Sequence, residues 1–338
     1  MPSQTSLQPG KADPVWASAL LALTLMLGAC AETPTATEPG SNAAAVQFDA
    51  AAGHPLTGPA ASMVFYSART GDLEIYAMDP DGDAVQRITE SPGTDIWPDL
   101  SPNGRYVAFA SMRTGNFEIF VTDLRTGDVW NVSNSSGDDN WPRWSPNGRE
   151  IAFHSNRDGN YELYVVQLDG TGLRRVTNNP VLDQWPDWSP NGKQLAFRRG
   201  MDIYVIDADG EEQNPVALTN LPLTLDQMPV WSPNGQQIAF MSFRAGYCSV
   251  YLMNASGDTP TDPAVNLTPK DPADANNQWC SRAPAWSRDG QRIYFMSFRP
   301  ETGGAGAAFN EIYVMNADGS GVLRLTDSAG EDGGPQAR

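Results

Sequence analysis

The chain has 338 residues, with 22 Lys and Arg against 40 Asp and Glu and a formal net charge of −18. At roughly 100 to 200 residues per domain this allows one large domain, two ordinary ones or an array of repeats. No Lys/Arg cluster offers a surface that would neutralise phosphates, which excludes nucleic acid as a partner. Gly 31, Pro 27 and Trp 10 beside only two His are the composition of a turn-rich β protein, and they leave little of the residue that most often serves as acid, base or metal ligand.

In chain order, residues 15–28 (VWASALLALTLMLG) are apolar or small, too short for a spanning helix of about 20 residues but suited to a secretory signal. The segment ends in Leu27-Gly28-Ala29-Cys30, which resembles the lipobox of bacterial lipoproteins and implies cleavage before Cys30 and its acylation. The expectation is a signal peptide over 1–29 and a flexible tether over 30–60, rich in Ala, Pro, Thr and Gly and holding a solvated His54. The folded part is then extracytoplasmic and membrane-anchored: in the outer membrane facing the periplasm of a two-membrane cell, or in the cell membrane of a one-membrane cell. Ala31 is not the Asp that marks inner-membrane retention.

Beyond residue 61 the sequence repeats. Ser-Pro-Asn-Gly starts at Ser101, Ser145, Ser189 and Ser232, and Ser-Arg-Asp-Gly at Ser287, at spacings of 44, 44, 43 and 55. After each turn comes an apolar strand (YVAFAS, EIAFHS, QLAFRR, QIAFMS, RIYFMS), then a second (EIFVTD, ELYVVQ, DIYVID, SVYLMN, EIYVMN), then a short third ending in Leu-Thr or a relative. Four short strands in about 40 to 45 residues make one propeller blade. The terminal pairs, from Ile88-Thr89 to Leu325-Thr326, count six units. The first unit lacks its opening strand, and Asp332-Gly333-Gly334-Pro335 resembles that strand. Since a closed ring leaves no exposed edge, residues 61–338 are read as an all-β, six-bladed propeller whose C-terminal strand completes the N-terminal blade.

Pro-x-Trp-Ser-Pro-Asn-Gly, Ile-Ala-Phe-x-Ser-x-Arg, Ile-Tyr-Val-Met-Asn-Ala-Asp-Gly and Leu-Thr together resemble the repeats of TolB-like periplasmic β-propellers over about 62–338. The sequence departs from that pattern at Asn103, Asn147, Asn191 and Asn234, where Asp is usual, and at Leu100 in place of the first Trp. It also leaves no room for the α/β domain that precedes the propeller in the Tol system.

Trp144, Trp188, Trp231 and Trp286 are expected to fill the wedges between blades, and Asn-Gly to supply the positive φ of the hairpin turn. Naming the strands A to D from hub to rim, the B–C and D–A connections share one face, the top. Two charged sets belong there: Asp95, Asp139, Asp183, Asp226 and Asp332 at the start of strand A, and Arg69, Arg113, Arg157, Arg199, Arg244 and Arg299 at the end of strand B. They read either as a structural ring of Asp–Arg bridges between blades or as a cation site at the channel mouth, with Ca²⁺ the candidate. Trp97, Trp141 and Trp185, with Met228 in the fourth place, either stack on a ligand or pack against the neighbouring blade.

The departures from the repeat also lie on top. The B–C loop of blade six (Arg299 to Glu311, with Phe309) and the D–A loop entering that blade (with Trp279) each carry seven extra residues, whereas blade four is shortened between Phe197 and Tyr204. This predicts a low notch at blade four beside a raised wall. Cys248 and Cys280 fall on adjacent top loops, and with Cys30 lipidated they are the pair left to form a disulfide in an oxidising compartment.

No G-x-S-x-G, H-E-x-x-H or metal-type Cys spacing is present, and His154, alternating within a strand, reads as a packed residue. The leading expectation is a non-catalytic, monomeric binding module, without cofactor, that meets an envelope protein, peptide or glycan through its top face. Alternatives are a metal-assisted polysaccharide lyase or hydrolase at the channel mouth and a structural subunit of an envelope complex.

Overall fold

The computed structural model describes residues 48–49, 54–55, 62–209, 215–270, 280–298 and 309–337. The signal peptide over 1–29, Cys30, most of the tether, Trp279, Arg299 and the greater part of both blade-six insertions lie outside the described residues.

All described regular structure is β. The strands are β1 (Phe48–Asp49), β2 (Met63–Ser67), β3 (Glu74–Met78), β4 (Gln86–Arg87), β5 (Asp95–Leu100), β6 (Tyr106–Ser111), β7 (Glu118–Asp123) and β8 (Val129–Asn131). Next come β9 (Asp139–Trp144), β10 (Glu150–Ser155), β11 (Glu162–Gln167), β12 (Arg174–Arg175), β13 (Asp183–Trp188), β14 (Gln194–Arg199), β15 (Asp202–Asp207) and β16 (Val216–Ala217). The last nine are β17 (Asp226–Trp231), β18 (Gln237–Ser242), β19 (Ser249–Asn254), β20 (Val265–Asn266), β21 (Cys280–Trp286), β22 (Arg292–Phe298), β23 (Glu311–Asn316), β24 (Leu323–Arg324) and β25 (Asp332–Ala337).

They form six antiparallel blades, and the first has the order β25-β2-β3-β4. The C-terminal strand is therefore the innermost strand of the N-terminal blade, with Met63 opposite Ala337 and Ser67 opposite Asp332. Blade two gains a fifth, outer strand, because β1 pairs with β8. The expected tether is thus corrected at its far end: Phe48–Asp49 joins the sheet, and the His54 N–H donates to the Ile88 carbonyl at 2.7 Å while its exposed ring meets Glu90 at 3.2 Å.

Strands B and C are buried on both faces because each blade packs between two others. One apolar cluster fills each wedge. Ala108, Ile119 and Val121 of blade two meet Trp144, Ile151 and Phe153 of blade three, and the closing wedge joins Tyr294, Ile312 and Val314 of blade six to Met63, Phe65 and Tyr76 of blade one. The wedge tryptophans add a polar link: Trp144 Nε1 donates to the Asp99 carbonyl at 3.1 Å, and Trp188 Nε1 to the Arg143 carbonyl at 3.0 Å.

In the Ser-Pro-Asn-Gly turn only the glycine takes the left-handed conformation, Gly104 at φ 67°. Asn103 contributes through its side chain instead, its Oδ1 accepting from the Ser101 hydroxyl at 2.8 Å and from the Arg105 N–H at 3.0 Å. Asp289 does the same with Ser287 and Gln291. A side-chain carbonyl and a carboxylate both supply that acceptor, so Asn and Asp exchange freely here.

Candidate functional site

Every innermost strand carries the same irregularity. A register shift falls in the middle of strand A in all six blades, just before a proline. An innermost strand has only one ladder neighbour, so a bulge and a residue without N–H are tolerated there. The residue ahead of each proline is left-handed: Trp97, Trp141, Trp185, Met228, Ala283 and Gly334, with φ between 50° and 57°. Left-handed φ is uncommon for a bulky side chain, and here it recurs once per blade at the inner edge.

This geometry brings the three tryptophans together. Trp97 and Trp141 ring centroids lie 4.4 Å apart and those of Trp141 and Trp185 6.4 Å, with Tyr66 edge-on to Trp97 at 5.1 Å. Trp141 is 2 % exposed and its Nε1 has no hydrogen-bond partner among the described residues, whereas Trp97 and Trp185 remain half-buried. Met228, Met241, Met296, Ala283 and Cys248 belong to the same cluster. The hub is thus filled by apolar side chains. Cys248 and Cys280 are disulfide-bonded with Cα atoms 4.7 Å apart. Phe309, 44 % exposed, stands apart just before β23.

The five aspartates do not meet one another; each is fully buried and faces the arginine of its own blade. The distances are 3.0 Å for Asp95–Arg113, 2.8 Å for Asp139–Arg157, 2.7 Å for Asp183–Arg199, 2.7 Å for Asp226–Arg244 and 3.0 Å for Asp332–Arg69. The ring expected to join blade to blade instead ties strand A to strand B within a blade, because the A–B register sets each aspartate opposite the arginine or the serine two residues before it, as Asp183 is opposite Arg199 and Asp95 opposite Ser111. Each guanidinium also lies on an aromatic pair, as Arg113 does on Phe109 and Phe120 at 5.3 and 4.7 Å. Burial pushes the Asp95 carboxyl up to about 6 and raises Asp139 and Asp183, against the pull of their arginines. In blade six Ser281 holds the Asp position and its Oγ lies 3.0 Å from that of Ser297. Among the described residues no group of three or more His, Cys, Asp or Glu is arranged to hold a metal ion.

A second buried acidic set was not singled out from the sequence. Glu74, Glu162 and Glu311 open strand C and accept from Thr89, Thr177 and Thr326 at 2.6, 2.6 and 2.7 Å. They lock the D strand to the C strand, so their role is structural.

Blade four differs from the rest. Two residues, Gly200 and Met201, join β14 to β15, where six join the corresponding strands of blades one, two, three and five. Beneath this short loop lie His154, Gln184, Trp185, Arg198 and Gln227. His154 is buried, accepts from the Trp185 N–H at 3.3 Å, and is held down to about 3, by burial first and by Arg198 second. Arg198 lies over the Trp185 ring at 5.0 Å. Around the loop stand Val181, Leu182, Met201, Leu221 and Leu223, all exposed. Leu223 is 96 % exposed and left-handed at φ 58°. The sequence signal for this patch was apolar residues inside D–A loops, in Pro180-Val181-Leu182 and Leu221-Pro222-Leu223, where polar ones are the rule.

Residues 62–220 match the family described as TolB beta propeller domain. A 51-residue stretch is 47 % identical to the Tol-Pal system protein TolB of Geobacter sulfurreducens, covering 15 % of this chain and 11 % of that protein. Among solved structures, TolB from Acinetobacter baumannii superposes with a TM-score of 0.63 at 21 % identity, over 82 % of this chain and 67 % of that one. A putative TolB from Agrobacterium tumefaciens gives 0.60 at 22 % identity, over 81 % and 91 %. At such identities the structural likeness speaks for the fold alone.

Proposed function

We propose, from the premise that this chain is a TolB-like β-propeller protein, that it is an extracytoplasmic binding module whose top face at blade four receives a protein partner. The observation that carries this reading is the concentration of exposed apolar side chains there: Val181, Leu182, Met201, Leu221 and Leu223. Contiguous exposed apolar surface marks interaction sites, and loops on one face of a repeat scaffold are where binding residues gather. Val216, Val265 and Leu323, also exposed, sit on separate outermost strands. A polypeptide suits the patch better than a glycan, because sugar hydroxyls would find few partners among these side chains.

The signal segment and Leu27-Gly28-Ala29-Cys30 support tethering of the module to a membrane by lipid at Cys30, with the partner in the cell envelope. The test places a photo-crosslinking amino acid at Met201 or Leu223 of the full chain, and at Asn191 on the opposite face, in producing cells. Adducts of defined mass from the two top positions and none from Asn191 are expected. Equal adducts from both faces, or none from the top, would refute the assignment.

A further inference from the structure

The residue that precedes the last of each five- or six-residue B strand points from one blade toward strand A of the next. In ring order it is Tyr66, Ala110, His154, Arg198 and Met241, with Met296 at the equivalent place in blade six. Four of the six are apolar or aromatic and His154 is neutral, so Arg198 is the one charge among these six positions; Arg282, opposite Met296 on strand A of blade six, has Glu331 at 3.9 Å.

Its bonding is unlike that of the arginines at the ends of the B strands, which face carboxylates at 2.7 to 3.0 Å. Arg198 Nε donates to the Gly200 carbonyl at 2.5 Å. Nη1 reaches only the carboxamide oxygens of Gln184 and Gln227, both at 3.5 Å, the outer limit of a hydrogen bond. Nη2 donates to none of the described residues, and no carboxylate among them pairs with the side chain. A half-buried guanidinium without a counter-charge is costly, and this one sits in a chain with 40 carboxylates to 22 cations. Burial correspondingly lowers its hold on the proton. The cost is recovered if the counter-charge arrives with a ligand.

The surroundings define that ligand. The two-residue connection between β14 and β15 leaves out four residues that roof the same place in other blades. A planar guanidinium backed by Trp185 presents its edge for two-point contact with a carboxylate, flanked by the Gln184 and Gln227 carboxamides. The connection itself and the D–A loops entering blades four and five expose Val181, Leu182, Met201, Leu221 and Leu223. We infer that Arg198 anchors a carboxylate of the bound polypeptide, with apolar residues of the same segment resting on those side chains. This rests on the top face being the binding face and adds the chemistry of the group recognised there. An acidic glycan has the carboxylate but lacks the apolar neighbours.

The test uses the full-length protein and an array of hexapeptides in which Leu, Val, Ile, Met or Phe surround one Asp or Glu. Each is paired with its Asn or Gln counterpart and made with a free or an amidated C-terminus. Oligogalacturonate serves as the acidic-glycan probe. The wild type should bind carboxylate-bearing peptides at least tenfold more tightly than their neutral partners. Arg198→Gln should abolish that preference without weakening the neutral peptides, and Arg198→Lys should restore part of it. The free-acid and amidated series show whether a C-terminus or a side chain is recognised. Because no carboxylate among the described residues pairs with the guanidinium, Arg198→Gln should also melt close to wild type, unlike a substitution of Arg113 or Arg157. A carboxylate preference retained by Arg198→Gln, no preference in the wild type, or tighter binding of oligogalacturonate overturns the inference. Crosslinking from Leu223 alongside an unaltered Arg198→Gln array would reject the anchor and leave the binding face standing; loss of the top-face crosslinks rejects the face itself.

Discussion

Replacing Gly334 by Ala tests how the ring is fastened. The residue lies in the C-terminal strand at φ 57°, and a Cβ placed there would stand 2.9 Å from Tyr66 Cε1 and 3.0 Å from Trp97 Cε3. The left-handed backbone alone costs an alanine roughly 1–2 kcal/mol. The same conformation is endured by a side chain in each of the other five blades, from Trp97 to Ala283, so φ is not what reserves this place for glycine. Space is: two aromatic rings of blades one and two already fill it, and overpacking adds about 1–3 kcal/mol. The total is about 2–5 kcal/mol, or a melting point lower by roughly 5–15 °C for a domain of this size. Gly192→Ala isolates the conformational part, since Gly192 has φ 70° and its nearest neighbour, Pro146 Cδ, is at an ordinary 3.7 Å. Urea unfolding followed by tryptophan fluorescence, with calorimetry, should therefore rank Gly334→Ala below Gly192→Ala by about 1–3 kcal/mol. Equal destabilisation of the two variants would mean that the C-terminal strand is not seated against Tyr66 and Trp97.

Asp95 makes a prediction about pH. Burial raises its carboxyl to about 6 from 3.8, so the folded state holds the proton more tightly than the unfolded chain, and the group's contribution to stability falls as pH rises through about 4 to 6, by on the order of 3 kcal/mol. The stability of wild type minus that of Asp95→Asn should decline across that window; a flat or rising difference would place the charged Asp95–Arg113 pair on the favourable side. The Cys248–Cys280 bridge spans 32 residues, and in the chain-entropy account its loss costs about 4 kcal/mol. Reductant, or Cys248→Ser with Cys280→Ser, should shift the urea midpoint accordingly, and an unchanged midpoint under reductant would show that the bridge contributes nothing.

The architecture was readable along the chain because a propeller is a sum of local hairpins. Ser-Pro-Asn-Gly sets each turn, alternation sets each strand, and counting Leu-Thr ends sets the number of blades; even the borrowed strand showed in Asp332-Gly333-Gly334-Pro335. What is local in space but distant in sequence was not readable. Whether an aspartate bridges to its own blade or the next depends on the A–B register, and the meeting of Trp97, Trp141 and Trp185 depends on a left-handed residue at each bulge; a string of letters displays neither. Arg198 looked like one more basic residue beside Arg199. The folded structure shows that Arg199 has taken Asp183 of its own blade and that Arg198 is left facing Gln184 and Trp185 of that blade and Gln227 of the next. Which neighbour a charge meets is decided by strand register within a blade and by the packing of one blade on the next, and both exist only in the folded ring.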